Sequence, residues 1–526
     1  MMRSPVSRFK LDCLLATLRP QLQPQLNCSA YPITMSLNML ADFAASVDLD
    51  VGSISPLPSA EAILRAERSL PSSLPSQGLG LDLIRKHLLE DIAPALNRES
   101  VNPNYYGFVT GGTTDAALYA DWLVSAFDQN VQTFAPTESI AGNVEDAALR
   151  MLQQLLDIDA SIFTGRTFTS GATASNTLGL ALGREYSVQI SGMRFSASAT
   201  QASIARQGLI PACLRAGIQR IQVLSSMPHS SLAKAASIIG LGTDNVMLLP
   251  LSEAEPWRLD LNALEQHLSK RGIASIISVS AGEVNAGAFA TTRDDMEKIR
   301  ALADEYGAWV HVDAAFGLQA RLLSKPQYAS IMAGVAALDL ADSITGDAHK
   351  LLNVPYDCGF FFTRHLGIQK QVFQNGSALP PDLSEAVPSA HNLGIENSRR
   401  LRALPVYATL VAYGRDWYRD LLERQISLAR KVAEYISQSS DYELLPRHTS
   451  AANIYIIVLF RARASDLNSH LVQRLNSAGT IYVTGTQWEN RPATRIAVST
   501  WRVDLDRDSA LIIKELEAIV RPKYSV

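Results

Sequence analysis

The chain has 526 residues, 47 % of them hydrophobic, with 47 Lys+Arg against 51 Asp+Glu and a formal net charge of −4. That near-balance lacks the basic excess of a nucleic-acid binder, and no run approaches the ~20 apolar residues of a membrane helix. Cys13, Cys28, Cys213 and Cys358 are too few and too scattered for a disulfide framework or a structural zinc site, so no metal is expected.

In chain order, residues 1–38 stand apart. Within 1–34, Arg3, Arg8, Lys10 and Arg19 face a single acid, Asp12, the pattern of either a disordered extension or a mitochondrial presequence. The expected location is the cytoplasm, or the mitochondrion if the extension is a presequence. The Ser- and Pro-rich stretch 53–77 reads as surface connection.

From about residue 160, short apolar runs alternate with amphipathic stretches. Strands are expected at 220–224, 246–251, 274–279 and 309–313. Between them Leu261, Leu264 and Leu268, and then Met296, Ile299 and Leu302, recur at helical spacing. Gly272 and Gly307 stand where helix C-caps belong. Such alternation predicts an α/β architecture, a mostly parallel sheet with helices on its faces and ligands at the carboxyl ends of its strands. After about residue 405 the pattern changes to a helix through Leu421 and Leu428, strands at 454–459, 481–484 and 495–499, and a closing helix through Ile512 and Leu516. This predicts a smaller C-terminal α+β domain.

Three strand-end features carry chemistry. Thr169-Ser170-Gly171-Ala172-Thr173-Ala174-Ser175-Asn176 opens a helix with small and hydroxyl residues, a cradle suited to a phosphate or simply a close-packed helix start. His311-Val312-Asp313-Ala314-Ala315 places a carboxylate at a strand end, which is either functional or a structural cap. Asp347-Ala348-His349-Lys350 sets a lysine at the close of an almost uncharged stretch, where desolvation makes an amine available for imine formation; a surface lysine in a turn is the alternative. Together, a phosphate cradle, an anion and an amine at three ends of one sheet match the demands of pyridoxal phosphate. No G-x-G-x-x-G or P-loop pattern competes.

On these residues the chain resembles the group II pyridoxal-phosphate-dependent decarboxylases over about residues 100–502. The resemblance rests on NPNYYGFVTGG, TSGATASN, HSSLAKAASIIGLG, HVDAAFG, DSITGDAHKLLNVPYDCG and SRRLRAL. It implies a large domain of the type I aminotransferase fold at 113–404, a small domain at 405–526, and a segment at 39–112 contributing to the dimer and the substrate pocket. It also implies a homodimer, pyridoxal 5'-phosphate as cofactor, and conversion of an L-amino acid to an amine and CO2, aromatic side chains favoured. Lys350 is similar to the family's Schiff-base lysine, Asp313 to the partner of the pyridinium nitrogen and His229 to the histidine stacked on the ring. Ala172 and Thr173 match phosphate-binding positions, and Asn176, Ala315, Asp347 and His349 match further cofactor-binding ones. Phe108, Val109 and Thr110 fall where the family builds its substrate pocket, with a buried apolar strand as the competing reading. Tyr105, Tyr106 and Phe108 hint at an aromatic ligand.

Three departures bear on the outcome. Asn102-Pro103 stands where familiar members carry His-Pro or His-Ser-Pro, and Gly-Asp-Ala-His-Lys replaces Asn-Pro-His-Lys. The segment 378–397 contains no tyrosine, whereas aromatic amino-acid decarboxylases place there the tyrosine that returns a proton to the substrate carbon. His391 or another group then supplies that proton, or the product shifts to an aldehyde with ammonia and peroxide. A C–C lyase resembling sphingosine-phosphate lyase, an aminotransferase using Arg399, Arg400 or Arg495 on a carboxylate, and a catalytically silent relative complete the alternatives.

Overall fold

A computed structural model of the chain describes residues 55–131, 138–374, 389–447 and 449–521. The reading of 1–38 lies outside the described residues. The described chain divides into two compact units. One is Pro75–Glu90, built on the short helix Leu81–His87, which buries no residue. The other holds 55–74 and everything from Asp91 onward. No helix among the described residues is long and apolar enough to cross a membrane.

Composition misleads at 53–77. A ten-residue helix, Ala60–Ser69, lies inside that stretch, started by Ser59, whose hydroxyl accepts the N–H of Ala62 at 3.1 Å. Serine there is a helix cap rather than loop filler, and Ala62 and Ala66 are the buried positions.

Seven strands form the large sheet: β1 (Gly165–Thr169), β2 (Arg220–Ser225), β3 (Val246–Leu248), β4 (Ile273–Ser280), β5 (Trp309–Asp313), β6 (Ser343–Asp347) and β7 (Gly359–Thr363). Their order is β1-β7-β6-β5-β4-β2-β3. All neighbours pair in parallel except those of β7, which runs against both β1 and β6. The reversal follows from the connection. Between β6 and β7 stand only the four-residue helix Ala348–Leu351 and a turn, too short for a parallel crossover. Helices cover the sheet, so strands such as β4 and β7 are buried along nearly their whole length and read as continuous apolar runs.

The helix Ala172–Gly192 lies close against β5. A side chain at Gly179 would come within 2.4 Å of the His311 ring, so only glycine permits that approach. Gly307 is the expected C-cap, with φ +70. Gly272 is not: the helix Leu261–Leu268 closes at Ser269, and Gly272, also at positive φ, shapes the turn into β4.

The second sheet is antiparallel, in the order β10-β11-β9-β8, from β8 (Tyr442–Leu445), β9 (Ile457–Ala462), β10 (Thr484–Trp488) and β11 (Arg491–Ala497). Its strands sit a few residues from where apolar runs suggest. Glu489 and Asn490, both at positive φ, make the two-residue hairpin turn that sets the β10–β11 register. The helix Ala403–Gln438, interrupted at Gly414, joins two cores. Val406, Leu410 and Leu422 pack into that of the large sheet, while Leu428, Val432 and Ile436 pack into that of the small one.

Candidate active site

The carboxyl ends of β1, β2, β4, β5 and β6 meet at one cavity of about 500 Å3. β5 ends on Asp313, and β6 ends on Asp347 with His349 and Lys350 in the short helix that follows. β1 leads through Gly171 into the helix Ala172–Gly192, and β2 leads to His229, the N-cap of the helix Ser230–Ile238. Lys350, Asp313, His229, Ala172, Thr173, Ala315, Asp347 and His349 all line the cavity.

One carboxylate joins three of these elements. Asp347 Oδ2 lies 3.1 Å from Lys350 Nζ, while Asp347 Oδ1 accepts the N–H of Ala172 at 2.7 Å. The Lys350 ammonium also lies 5.6 Å from the centre of the buried Phe316 ring. Gly171 leaves this junction open, since a Cβ there would stand 3.3 Å from His349 Cε1. His349 Nδ1 donates to the Cys358 carbonyl at 2.9 Å, and burial holds its pKa below the ordinary imidazole value. It is therefore neutral near pH 7.

His229 reaches the cavity surface, and partial desolvation of its ring lowers its pKa below the ordinary imidazole value. Its Nδ1 accepts the N–H of Ser231 at 3.2 Å and lies 2.8 Å from the Ser231 hydroxyl. The neutral ring therefore carries its proton on Nε2. Asp313 Oδ2 accepts from Asn176 Nδ2 at 2.8 Å, and Oδ1 from the N–H of Ala315 at 3.3 Å. Asn176 itself is fully buried and does not line the cavity, contrary to its reading as a cofactor contact; it stands one layer behind, holding Asp313.

Phe108, Val109 and Thr110 line the cavity on the opposite side. They are not a strand: Phe108 has φ 56, in the left-handed region, and the residue is 53 % exposed. The segment is pinned at Gly111, where a Cβ would lie 2.0 Å from the Lys350 carbonyl, and Asn353 Nδ2 donates to the Gly111 carbonyl at 2.6 Å. Tyr105 and Tyr106 point elsewhere. Tyr105 stacks on Tyr482 at 4.6 Å and Tyr106 is buried in the small-sheet core, so neither supports an aromatic ligand. Asn102 accepts the N–H of Asn104 at 2.9 Å and shapes the turn before them.

Of the three arginines, only Arg495 reaches the cavity. Arg399 makes a bidentate buried pair with Glu145 and Arg400 pairs with Asp121. Arg495 donates to the Val284 carbonyl and to Thr484 Oγ1, and its Nε has no acceptor among the described residues. His391, held by Ser389 at 2.7 Å, is not among the cavity residues.

Besides Arg495, five lining residues lie outside the quoted motifs, Glu99, Ser280, Gly282, Glu283 and Val284, while Phe316 and Tyr356 lie inside them without an assigned role. Glu283 follows the end of β4, so the strand-end rule that found Asp313 also points to it. Burial raises its pKa, and the N–H groups of Asn285 and Ala286 hold its oxygens at 2.7 and 2.8 Å. Glu99, whose pKa burial also raises, comes from an irregular segment with no sequence signal.

The residues fit a phosphate-bearing aldehyde. Of the first-turn N–H groups of the helix Ala172–Gly192, that of Ala172 goes to Asp347, and those of Thr173 and Ala174 have no intrahelical acceptor. The amine, the anion and the neutral imidazole stand around the same space.

Residues 64–463 match the family described as the pyridoxal-dependent decarboxylase conserved domain. The chain is 26 % identical over 418 residues to L-2,4-diaminobutyrate decarboxylase of Acinetobacter baumannii, covering 77 % of this chain and 78 % of that one. It is 25 % identical over 447 residues to phenylacetaldehyde synthase of Petunia hybrida, covering 82 % and 83 %. In structure it is similar to tryptophan decarboxylase of Catharanthus roseus in complex with L-tryptophan, with TM-score 0.76 and 19 % identity over 94 % of this chain and 99 % of that one. The chain belongs to the pyridoxal-dependent decarboxylase family: it is a carboxy-lyase that works with pyridoxal phosphate on an amino acid.

Proposed function

We propose that the enzyme converts an aromatic L-amino acid to the corresponding amine and CO2, with Lys350 as the amine that carries the cofactor. The observation that carries this reading is the Asp347 carboxylate, which ties Lys350 to the N-terminus of the helix Ala172–Gly192 at the edge of the cavity lined by Asp313 and His229. When bound, pyridoxal phosphate supplies the ring that accepts the electron pair left as CO2 departs.

The protein's own residues do the rest. Ala172, Thr173 and the helix N-terminus hold the phosphate, and Asp313 holds the ring nitrogen protonated. Asp347 orients the Lys350 amine, and His349 contributes from beside it. His229 offers its Nε2–H to the cavity, and Ala315, being small, leaves room for a ring. Arg495 is the cation available for the substrate carboxylate. Phe108, Phe316 and Val109 face the substrate side and keep water from the reacting bond.

CO2 release from a panel of L-amino acids, with Lys350→Ala as control, tests the proposal. Lys350-dependent release from aromatic substrates supports it; release from none, by a protein that still binds cofactor, removes it. Glu99 favours a second reading, a substrate with a cationic side chain such as diaminobutyrate, which would show in the same panel. With no tyrosine at 378–397, an aldehyde product is the alternative outcome, and peroxide in stoichiometric yield would establish it.

The enzyme works, in our reading, as a homodimer. Helix Asp115–Phe127 leaves Leu118, Tyr119, Leu123 and Phe127 exposed, an apolar stripe that a second copy would cover. Sedimentation at a monomer mass would remove this part.

A further inference from the structure

Behind the cavity wall runs a line of buried polar groups. Trp309 Nε1 donates to Ser343 Oγ at 3.0 Å, and Ser343 Oγ lies 2.8 Å from His311 Nδ1. His311 Nε2 lies 2.9 Å from Asn176 Oδ1. Asn176 Nδ2 then donates to Asp313 Oδ2 at 2.8 Å and to Ser231 Oγ at 3.1 Å, and Ser231 Oγ reaches His229 Nδ1 at 2.8 Å. Trp309, Ser343, His311 and Asn176 have no exposed surface.

Donor and acceptor chemistry gives this line a single direction. Asp313 accepts, so the Asn176 amide must present Nδ2 to it and Oδ1 to His311. His311 Nε2 must then carry a proton. The Trp309 indole only donates, so the Ser343 hydroxyl accepts from it and is free to donate to His311 Nδ1. That makes His311 a neutral Nε2–H tautomer, and burial independently holds its pKa down at about 4. At the other end, the Ser231 hydroxyl accepts from Asn176 and passes its own hydrogen to His229. The ring of His311 is also clamped, lying where a Gly179 side chain would otherwise stand.

We propose that Asn176 and His311 are positioning residues, a buried relay that fixes the Asp313 carboxylate and couples it through Ser231 to the tautomer of His229. The proposal rests on the reading of Asp313 as partner of the cofactor ring. The competing account is that these groups only satisfy one another beneath the helix.

The test uses full-length enzyme loaded with pyridoxal phosphate, in the variants Asn176→Ala, His311→Leu and His311→Gln. The first two remove one link each, and Gln restores a side-chain N–H donor toward Asn176. We expect cofactor release to quicken about tenfold in Asn176→Ala and His311→Leu, the effect of one hydrogen bond to a charged group. The balance of the two absorption bands of the bound cofactor should change, and kcat should fall with KM little altered. His311→Gln should recover most of the loss. Wild-type release rate, spectrum and kcat in both Asn176→Ala and His311→Leu would overturn the relay, as would a His311→Gln as impaired as His311→Leu at unchanged melting temperature. Where His311→Leu does not fold, Asn176→Ala alone decides. Asp313→Asn separates the two ideas. Full turnover in that variant removes the reading of Asp313 itself, whereas a dead Asp313→Asn beside a normal Asn176→Ala removes only the relay.

Discussion

The two sides of the cavity are built differently. On the sheet side, Asp313, Asp347 and the N-terminus of the helix Ala172–Gly192 stand on regular elements, and both carboxylates have named partners within 3.3 Å. On the other side, Glu99, Phe108 and Tyr356 come from irregular segments, and Phe108 and Tyr356 are each more than half exposed. Chemistry common to a family needs atoms held rigidly, which strand ends and helix starts provide. Choice of substrate and product needs surfaces that can vary without disturbing that frame, which loops provide.

The comparison can be broken most directly at Lys350. Lys350→Ala should bind cofactor without the imine absorption and release no detectable CO2; residual turnover near wild type would place the amine elsewhere. Next comes Asp313→Asn, expected to keep cofactor but lose turnover by the order of 10²–10³, as when one preorganised electrostatic partner is removed. Steady-state assay beside a cofactor titration checks it.

Where the two sides meet, Gly111→Ala would set a methyl group against the Lys350 carbonyl at a positive φ. Denaturant melts should show a loss of about 2–4 kcal/mol, and a melt like that of wild type would mean the segment is not pinned there. A smaller change is expected from Glu99→Gln. If the loop side sets selectivity, KM for substrates with a cationic side chain should rise by at most about tenfold with kcat little changed. Equal effects on aromatic and cationic substrates would deny Glu99 a role in choice.

A further expectation concerns pH. His311 is held neutral down to about pH 4, below the ordinary imidazole value of 6.5. The unfolded chain takes up that proton first, so stability conferred by neutral His311 is present above pH 6.5 and lost as pH falls toward 4. Melting temperature of wild type should therefore fall faster across this window than that of His311→Gln, and parallel curves would contradict it.

Apolar runs and their spacing are local properties, so the strands at 274–279 and 309–313 and the helices around Leu264 and Ile299 are legible in the chain. So are the strand-end residues Asp313 and Lys350, because a charged side chain closing an apolar run has few places to go. Pairing is only partly local: β7 also lies against β1, far back in the chain. β8 and the β10–β11 hairpin pair with near neighbours, but their own patterns are too short or too polar to announce them. The same holds for the site. Asn176 looks like one more helix-start residue until its amide is seen to meet Asp313, 137 residues away. Glu99 has no signal at all. Sequence by itself thus determined the α/β class, the cofactor and the residues at the strand ends, because each follows from short-range chemistry. Only the tertiary structure decided which side chains stand behind Asp313 and which line the cavity, because those are contacts made across the fold.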